Sequence, residues 1–443
     1  MSFKTQYTDR IDWQEIALAE IGKIVSGATP STEKPEYWNG SIVWITPADL
    51  SKISTRHILQ SERTITELGL SRSAAHLLPP QSLVISSRAP IGHMALPLVS
   101  FCTNQGCKSM VFFEGQDPDF HYYNLRFWVR RILTKGEGTT FAEISKTALE
   151  NVRVPVPQEP KVQMAIGRLL SSVDLAIEQT DALLTKRQRI KSGLMRDLLS
   201  RGLDTQGQLR DPATHRFKPS PLGLIPEEWD VRTLADVVPA HRPIVYGILM
   251  PGKYVDGGVP VIKVKDIQDG SIRKEGLLRT HPKIDAAYSR SRLLPGDLLF
   301  TIRGTVGRTA VVPAELGGAN ITQDTARITV ADGNTTFIRH CLEMPRQRSF
   351  IELHTLGQAV KGINLGELRK LPVQLPHPDE QAEIARVLDE HDRDTRTVVD
   401  QLEKLRRLKF GLMQDLLTNR VPVTPLLQEE ATAEIGQEIA TAR

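Results

Sequence analysis

Two short segments, at an offset of 215 in the numbering (303 − 88 = 215), each place an arginine among small turn residues. Residues 86–93 carry Arg88, and residues 301–308 carry Arg303. An arginine guanidinium can donate two parallel hydrogen bonds to a phosphate or to guanine, and small neighbours let the backbone approach a ligand closely. The pattern therefore favours a DNA-contacting loop in each half of the chain. A repeated β-turn with a surface arginine would give the same pattern and stays open.

A glutamine also recurs, as Gln105 and Gln323, at an offset of 218 (323 − 105 = 218). A glutamine amide can read adenine through two hydrogen bonds. Two modules that read different bases would not need the same amide, so we favour a role in bracing the backbone and keep base contact as the alternative. The other candidate DNA contacts come from both halves: Ser86, Lys108, Thr139, Lys263, Lys265, Arg308 and Lys361.

No sequence motif for catalysis is found. The sequence has no phosphate-binding GxxxxGK[ST] loop, no GxGxxG and no HExxH. Residues 78–81 (Leu-Pro-Pro-Gln) have only a faint likeness to the tetrad of amino-methyltransferases, because they lack its polar first and aromatic last residues. The three cysteines are too few and too irregularly spaced for a zinc site or a disulfide framework. We therefore expect a chain without catalytic residues, metal or bound cofactor.

The candidate residues belong to a sequence that occurs twice. The segment Gly-Leu-Met-x-Asp-Leu-Leu begins at Gly193 and again at Gly411, an offset of 218 (411 − 193 = 218). Trp13 corresponds to Trp229 in the same way (229 − 13 = 216). A period this long indicates duplicated domains rather than a solenoid of short repeats. Two similar modules suit a ligand with two similar sites, and DNA is such a ligand.

Each half consists of short strand-like runs followed by a long helix. In the first helix, apolar or near-apolar residues recur at alternating steps of four and three, which is a heptad seam. Adding 218 reproduces the register in the second helix. A helix with such a stripe needs a partner, so we expect the two helices to pair antiparallel; packing of each helix on its own domain alone is the alternative. The candidate partner-binding residues are Ile166, Leu170, Leu184, Leu198, Gln381, Ile384, Leu388, Leu402 and Leu416.

The predicted fold class is α+β: two similar mixed domains joined by two long helices that pair as an antiparallel coiled coil, with a pseudo-twofold internal repeat. The predicted boundaries are residues 1–157 for the first mixed domain, 158–203 for the central helical spacer, 204–376 for the second mixed domain with its leading linker 204–225, 377–420 for the C-terminal helical spacer, and 421–443 for a tail.

Composition places the chain among soluble globular proteins. It has 443 residues, a net charge of +4 and a mean hydropathy of −0.24. A mildly basic balance is compatible with nucleic acid. The first residues have no apolar run typical of a signal peptide, and no stretch approaches the length of a membrane span. We expect a cytoplasmic protein.

The whole arrangement resembles the specificity subunit of type I restriction-modification systems, over almost the whole chain to about Leu417. The resemblance rests on the duplication, the proline-punctuated segments 154–157 and 371–376, the sequence Pro-Asp-Glu-Gln-Ala-Glu-Ile at 378–384, and the repeated Gly-Leu-Met-x-Asp-Leu-Leu. The first copy departs from the pattern, because Val162-Gln163 stands where the family has Glu-Gln. This departure weakens the case for equal partner contacts at the two helices.

The resemblance implies that each mixed segment is a target recognition domain that reads one half of a split, asymmetric DNA sequence. The paired helices would fix the spacer and dock two modification subunits, which bind S-adenosylmethionine and methylate adenine at N6. Restriction subunits that use ATP and Mg would join this core, while this chain would bind no cofactor itself. Two alternatives stay open: a recognition subunit whose partner combines methylase and nuclease, and a coiled-coil adaptor without a DNA role.

Overall fold

A computed structural model gives the fold and describes residues 12–134, 143–268, 270–355 and 361–423. The chain divides into two compact units. The first unit contains the described residues up to Ala182 and from Val399 onwards, and the second contains those between Leu183 and Val398. Each unit thus includes part of each long helix, so the units differ from the consecutive segments expected from the sequence.

The first unit combines short strands with short helices. Its strands are β1 (Trp13–Ala17), β2 (Gly22–Ser26), β3 (Trp38–Ile45), β4 (His57–Ile58), β5 (Arg63–Ile65), β6 (Leu83–Ser86), β7 (Met94–Pro97), β8 (Phe101–Thr103), β9 (Cys107–Phe112) and β10 (Arg153–Pro157). Its short helices are α1 (Leu18–Ile21), α2 (Pro47–Lys52), α3 (Glu67–Ser71), α4 (Pro118–Phe127), α5 (Val129–Leu133) and α6 (Lys146–Glu150), and the long helix α7 (Pro160–Leu198) begins here.

The second unit has a similar inventory. Its strands are β11 (Phe217–Ser220), β12 (Gly223–Pro226), β13 (Asp230–Thr233), β14 (Val245–Tyr246), β15 (Val259–Ile262), β16 (Ile267–Gln268), β17 (Ser271–Ile272), β18 (Leu278–Thr280), β19 (Leu298–Thr301), β20 (Thr309–Val311), β21 (Asn320–Ile321), β22 (Thr325–Ile328) and β23 (Pro372–Leu375). Its helices are α8 (Pro282–Ala287), α9 (Thr335–Leu342), α10 (Pro345–Leu353), α11 (Leu365–Arg369) and the start of the long α12 (Pro378–Leu417).

The strand pairings show the duplication directly. In the first unit β6 lies antiparallel between β7 and β9, β9 pairs with β2, and β3 runs parallel to β8 and antiparallel to β5. In the second unit β19 lies antiparallel between β20 and β22, β22 pairs with β14, and β15 runs parallel to β21 and antiparallel to β18. In each unit the strand at or just after the recurrent tryptophan pairs with the strand that precedes a long helix, as β1 with β10 and β13 with β23. The predicted α+β class and internal repeat are confirmed.

Within each unit the two long helices run antiparallel. In the first unit Lys409 lies 2.5 Å from Asp174, and Arg406 lies 3.4 Å from Asp181. As residue numbers rise along α7, their partners' numbers fall along α12, which defines an antiparallel pair. The second unit has the same direction of pairing, with an Arg187–Asp394 distance of 3.1 Å and a Lys191–Asp392 distance of 2.7 Å.

The helices also pack on the domain of their own unit. One core joins Ile166 and Leu170 of α7 and Leu416 of α12 to residues of the first unit's domain, such as Phe120. A separate core in the second unit joins the end of α7 to the start of α12 and the domain around Phe337. The long helices therefore pair with each other and also pack on the domains, so the alternative of packing on the domain alone is wrong. Within the described residues no helix is long and apolar enough to cross a membrane.

Candidate DNA interface and helix pair

The turn after β6 and the turn after β19 are closed by the same hydrogen bonds. The Ser86 hydroxyl donates to the carbonyl oxygen of Pro90 (2.7 Å) and accepts from the N–H of His93 (2.9 Å). The Thr301 hydroxyl donates to the carbonyl oxygen four residues later (2.5 Å) and accepts from the N–H seven residues later (2.9 Å). Ser86 is buried, and its hydroxyl shapes the turn. Contact between this side chain and DNA is therefore not part of the interface proposed below.

Both arginines project from these turns with side chains that are half exposed, 50% for Arg88 and 56% for Arg303. Their backbone N–H groups donate to the carbonyl oxygens of Gly106 (3.2 Å) and Asp324 (3.3 Å), which stand at an offset of 218 (324 − 106 = 218). Arg88 Nε lies 2.9 Å from a Glu143 carboxylate oxygen, whereas Arg303 Nη1 lies 4.0 Å from its nearest acid, Asp324. The backbone is thus held alike in both copies, while the guanidinium groups remain accessible.

The predicted lysines differ in their access to solvent. The Lys108 side chain is only 7% exposed, and its ammonium group lies 3.6 Å from Glu143. Burial with this acid leaves Lys108 little freedom to reach a phosphate. In the second unit, the candidate lysines with partly or fully exposed side chains are Lys263, Lys265 and Lys361.

The two recurrent glutamines stand beside the arginine turns. Gln105 is exposed, and its side-chain oxygen accepts a hydrogen bond from the Thr29 hydroxyl. Gln323 is partly buried, and its backbone N–H donates to the carbonyl oxygen of Ile248 at 2.9 Å. The Gln105 side chain therefore links the segment after β8 to the segment after β2, which supports the bracing interpretation for Gln105. The corresponding link between the segments after β21 and β14 uses the backbone of Gln323 and does not depend on its amide.

Two further candidates are Arg308 and Thr139. Arg308 donates from Nη1 to the carbonyl oxygen of Ile267 at 3.1 Å. This bond holds the start of β16, so Arg308 is a supporting residue of the interface. Thr139 lies outside the residues that the structure describes.

Strand direction brings the candidates together at one edge of each unit. In the first unit β6 ends at Ser86 opposite the start of β9 at Cys107, and β2 ends at Ser26 opposite Lys108. The Arg88 turn and the Gln105 segment therefore share an edge. In the second unit β14, β15, β19 and β21 all end at the corresponding edge, where Arg303, Gln323, Lys263 and Lys265 follow.

One cluster in the second unit has the composition of a metal site. His340, Asp389 and Asp392 bring potential ligand atoms within 4.8 Å of one another. Arg339 donates to both aspartates, at 2.8 and 3.2 Å, and Lys191 lies 2.7 Å from Asp392. Two fixed cations already balance these carboxylates, so the cluster is an ion-pair network rather than a metal centre.

The charge states in this network follow from burial and from its cations. Burial lowers the pKa of His340, which favours the neutral imidazole. Burial alone would raise the pKa of Asp392, but the hydrogen bond and charge of Lys191, together with Arg339, lower it overall. The pKa of Glu343 is lowered for the same reason, by Arg339 and Lys191 against the effect of burial. These carboxylates therefore stay ionised inside the unit.

The structure places most of the predicted partner-binding residues inside the protein's own cores. The seam residues with 6% exposure or less are Ile166, Leu170, Leu198, Ile384, Leu388, Leu402 and Leu416. Leu184 is partly exposed. An apolar residue at a heptad position predicts that its side chain is buried, but it does not predict which surface covers the side chain. These seven side chains are buried by packing within the units, so they have no surface that a second protein could contact.

Gln381, the remaining candidate, is also used internally. It is 3% exposed; its amide oxygen accepts from the N–H of Asn334 (2.8 Å), and its amide nitrogen donates to the carbonyl oxygen of Pro376 (2.8 Å). Gln163, the counterpart at an offset of 218 (381 − 163 = 218), makes the matching bonds to Asp117 and Pro157, each at 3.1 Å. The glutamine at the start of each long helix thus fastens the helix to its domain.

Glu380 is a buried junction that the sequence did not reveal. Its side chain is 10% exposed and accepts two hydrogen bonds from Arg210, at 2.5 and 3.0 Å. It also accepts from the N–H of Leu203 (2.8 Å) and from the indole N–H of Trp229 (3.2 Å). Glu380 therefore anchors the segment that follows α7. The one hint of this role in the sequence was the difference between the two copies, because the first copy has Val162 at the position equivalent to Glu380.

Comparison with known proteins matches both halves to one family. The family described as "Type I restriction modification DNA specificity domain" matches residues 10–186 and 226–407. The MjaIX specificity subunit of Methanocaldococcus jannaschii, a type I restriction enzyme subunit, is 28% identical over 264 residues, which are 58% of this chain and 59% of that protein. The Escherichia coli EcoBI specificity subunit is 27% identical over 293 residues, covering 64% and 60%.

A third relative extends over nearly the whole length. The MjaVIII specificity subunit of M. jannaschii is 20% identical over 452 residues, covering 96% of this chain and 97% of that protein. The chain thus spans about three fifths of the first two relatives and nearly all of the third.

A solved structure has the same fold. The type I restriction-modification S subunit from M. genitalium superposes with a TM-score of 0.61 at 14% identity, covering 94% of this chain and 99% of that one. Because the family match includes two copies and more than half of the residues, this chain belongs to the type I restriction-modification DNA specificity family.

Proposed function

We propose that this chain is the sequence-specific DNA-recognition subunit of a type I restriction-modification complex and catalyses no reaction itself. The observation that carries the proposal is the repeated arginine turn, held by equivalent backbone bonds at the same edge of both units. Arginine and lysine contacts to phosphates would give affinity, and base-edge contacts at the same edge would give sequence.

The two edges differ in ways that support an asymmetric target. Each arginine lies in an isolated β-bridge, but Arg88 is opposite Glu143 and pairs with its carboxylate, while Arg303 is opposite Gly362 and has only a distant acid. The neighbouring Gln105 is exposed and Gln323 is partly buried. Two domains with the same backbone but different side chains would read two different half-sites of one split sequence.

Modification subunits would dock on the long helices through residues other than the predicted seam. On the helices of the first unit, large apolar side chains that face solvent are Met164, Leu175, Leu408 and Phe410, at 39, 53, 51 and 67% exposure. On those of the second unit they are Leu183 and Ile190, at 42 and 44%. Exposed apolar side chains on a helix pair that is already packed are typical of an interaction surface. Leu408→Lys should therefore reduce co-purification with a modification subunit, and Arg407→Glu, an exposed change next to it, should not.

Cofactors belong to the partners in this proposal. The modification subunits would bind S-adenosylmethionine and the restriction subunits ATP and Mg. The present chain would bind none of these cofactors, would determine which DNA sequence the complex recognises, and would be cytoplasmic.

Methylation mapping tests the function. The chain is co-expressed with a candidate modification subunit in a host without adenine methylation, and N6-methyladenine is mapped across the genome. We expect a split, asymmetric motif that disappears without this chain. Absence of methylation from a complex that assembles would contradict the proposal and favour an adaptor without a DNA role.

The arginine turns are tested separately by DNA binding. Arg88→Ala and Arg303→Ala should each weaken binding and lower the dependence of log affinity on log salt by about one. Arg386→Ala is the matched control, because Arg386 is exposed on α12 and pairs with Glu383 and Glu390 instead. Equal losses in all three variants would contradict an arginine-specific contact.

A further inference from the structure

The loop after β14 concentrates large apolar side chains on the surface of the second unit. Tyr246, Leu249, Met250 and Tyr254 are 49, 53, 78 and 58% exposed, all within nine residues. Exposed apolar residues that occur singly need no explanation, but a contiguous group indicates a contact surface.

The register of the strands locates this loop at the edge where the arginine turn lies. Tyr246 at the end of β14 is paired with Ala326 of β22, and Thr301 at the end of β19 is paired with Thr325 of the same strand. Both chains therefore leave the sheet at one edge. The next residues are the apolar loop on one side and Arg303 on the other.

The loop is held in place at both ends. The N–H of Ile248 donates to the carbonyl oxygen of Ile321 (2.7 Å), the Thr280 hydroxyl donates to the carbonyl oxygen of Pro251 (2.6 Å), and the N–H of Val255 donates to the carbonyl oxygen of Arg279 (2.9 Å). A Cβ atom on Gly247 would collide with the carbonyl oxygen of Ile321, so only glycine allows this close approach. A fixed loop loses little conformational entropy when its side chains make a contact.

The first unit has no such group at the corresponding place. There the chain after β2 reads Gly-Ala-Thr-Pro-Ser-Thr-Glu-Lys from Gly27. This segment packs on two tryptophans, with Trp44 Nε1 donating to the carbonyl oxygen of Ala28 (3.0 Å) and Trp38 Nε1 donating to that of Ser31 (3.1 Å). The apolar loop is therefore a feature of the second domain only.

Lysines predominate around the loop, with one exposed acid, Asp256, two residues after Tyr254. Lys253 lies within it and is exposed, and Lys263 and Lys265 follow the end of β15 at the same edge. The lysines and the arginine suit the phosphates of DNA, and the apolar side chains suit its stacked bases. A purely apolar surface of another protein would not need these basic neighbours. Proteins that bend DNA insert leucine, methionine or proline side chains between base pairs, and the unstacking cost is offset by additional contact with the bent duplex.

We propose that Leu249 and Met250 form a wedge that inserts between adjacent base pairs of the half-site read by the second domain. The wedge rests on the DNA-recognition function proposed above. It assigns local unstacking of DNA to the second domain alone, because the first domain offers polar residues at the equivalent position. Deformable pyrimidine–purine steps should be favoured at the insertion point.

The experiment uses the complex with the modification subunit and a duplex that contains the mapped target. 2-Aminopurine replaces one base at a time across the second half-site, and its fluorescence reports unstacking. The adenine to be methylated in each half-site is left out of the scan, because methyltransferases flip their target base out of the duplex. At all other positions we expect, for the unaltered complex, a rise at one step of the second half-site only and none in the first half-site. The Leu249→Ser, Met250→Ser double variant should lose this rise and bind the target at least about tenfold more weakly. Because both side chains are exposed, the variant should unfold at an unchanged temperature.

Leu294→Ser is the matched control. Leu294 is 52% exposed and precedes β19, whose first residue Leu298 is paired with Ile328 at the opposite end of the sheet. This variant should keep both affinity and fluorescence.

The possible outcomes separate the wedge from the function on which it rests. Target binding by the unaltered complex without any fluorescence rise overturns the wedge and leaves DNA recognition standing. Loss of the modification subunit from the double variant also overturns it and assigns the loop to a protein contact. If the unaltered complex binds no DNA, both proposals fail together.

Discussion

Glu380 and Val162 occupy equivalent positions, at an offset of 218 (380 − 162 = 218), with opposite consequences for the tryptophan beside them. In the second unit Glu380 accepts from the Trp229 indole. In the first unit the indole nitrogen of Trp13 is buried and has no hydrogen-bond partner among the described residues. Burying an unpaired donor costs free energy. The second unit avoids this cost at Trp229 through Glu380, whereas the first unit has no acceptor for Trp13 at the equivalent position.

Removal of the Glu380 charge should destabilise the second unit. In Glu380→Gln the Arg210 side chain, 8% exposed, would keep only Glu228 as an acidic partner at 2.8 Å. We expect a loss of about 2 kcal/mol or more, because breaking a buried ion pair leaves a charge without compensation. Calorimetric unfolding should show a drop of roughly 4–8 °C in the transition of this unit.

Glu383→Gln, three residues further along α12, is the control for Glu380→Gln. Glu383 is 45% exposed and pairs with Arg386 on the surface, where such pairs contribute about 1 kcal/mol or less. Similar losses from both substitutions would show that Arg210 and Glu380 contribute no more than a surface pair.

His121 makes the first unit sensitive to acid. Complete burial lowers its pKa to about 3, whereas the unfolded chain has a histidine pKa of about 6.5. As pH falls below 6.5 the unfolded state takes up a proton that the folded state does not, so stability falls with pH. Between pH 7 and pH 5 this amounts to about 2 kcal/mol.

His121→Gln should remove that part of the pH dependence while keeping a donor for Gln116, to which His121 Nε2 is hydrogen-bonded at 2.7 Å. The measurement is the change in unfolding free energy from pH 7 to pH 5, compared between the two proteins in denaturant titrations. From pH 7 to pH 8 the two should change equally. An unchanged difference between pH 7 and pH 5 would mean that His121 is protonated alike in both states.

At the scale of the elements, a Lys–Asp ion pair links α7 to α12 in each unit. The aspartate belongs to α7 in the first unit and to α12 in the second. Asp174 of α7 pairs with Lys409 of α12, and Lys191 of α7 pairs with Asp392 of α12. Each residue and its counterpart share the same offset (392 − 174 = 218; 409 − 191 = 218). Both aspartates also bind the domain, through the Tyr123 hydroxyl (2.7 Å) in the first unit and through Arg339 (3.2 Å) in the second.

These pairs should set the register of the helices, because a polar group at a buried coiled-coil position tolerates few alignments. Lys409→Asp would place two carboxylates together and should destabilise the first unit by about 3–5 kcal/mol. The exchange Asp174→Lys with Lys409→Asp should recover part of that loss. Arg406→Asp, facing the exposed Asp181, is the control and should cost about 1 kcal/mol or less. No recovery in the double variant would contradict a register role.

The sequence predicted the elements of this fold better than their contacts. The constant offset between the two copies and the heptad spacing identified both long helices. Spacing alone could not show that Ile166 and Ile384 pack on their own domains, because any apolar neighbour satisfies the pattern. Likewise, the residue type of Ser86 could not reveal that its hydroxyl closes its own turn.

At the scale of the whole molecule, the family resemblance implies that the paired helices fix the spacer, so we expect their length to determine the spacing between the half-sites. A deletion that shortens both helices and keeps their heptad register tests this. Removing residues 183–189 and 401–407 deletes one heptad from each helix, at equivalent positions of the two copies. The residue numbers of the Lys–Asp partners on the two antiparallel helices add up to 583 (174 + 409 and 191 + 392). By this rule residues 176–182 face the deleted segment 401–407, and residues 394–400 face the deleted segment 183–189. After the deletion, residues 176–182 and 394–400 therefore face each other. The Lys–Asp pairs that set the register are retained.

Deleting seven residues from each helix removes about 10 Å of length, which corresponds to roughly three base pairs of DNA at about 3.4 Å each. We expect the methylated motif to keep both half-sites and to lose about three base pairs from its spacer. Genome-wide mapping of N6-methyladenine measures both features at once. A two-residue deletion in each helix rotates the apolar seam by about half a turn and should abolish methylation instead. An unchanged spacer in the seven-residue variant would show that the helices do not measure the distance, and a changed half-site would show that they help to shape the recognition edges.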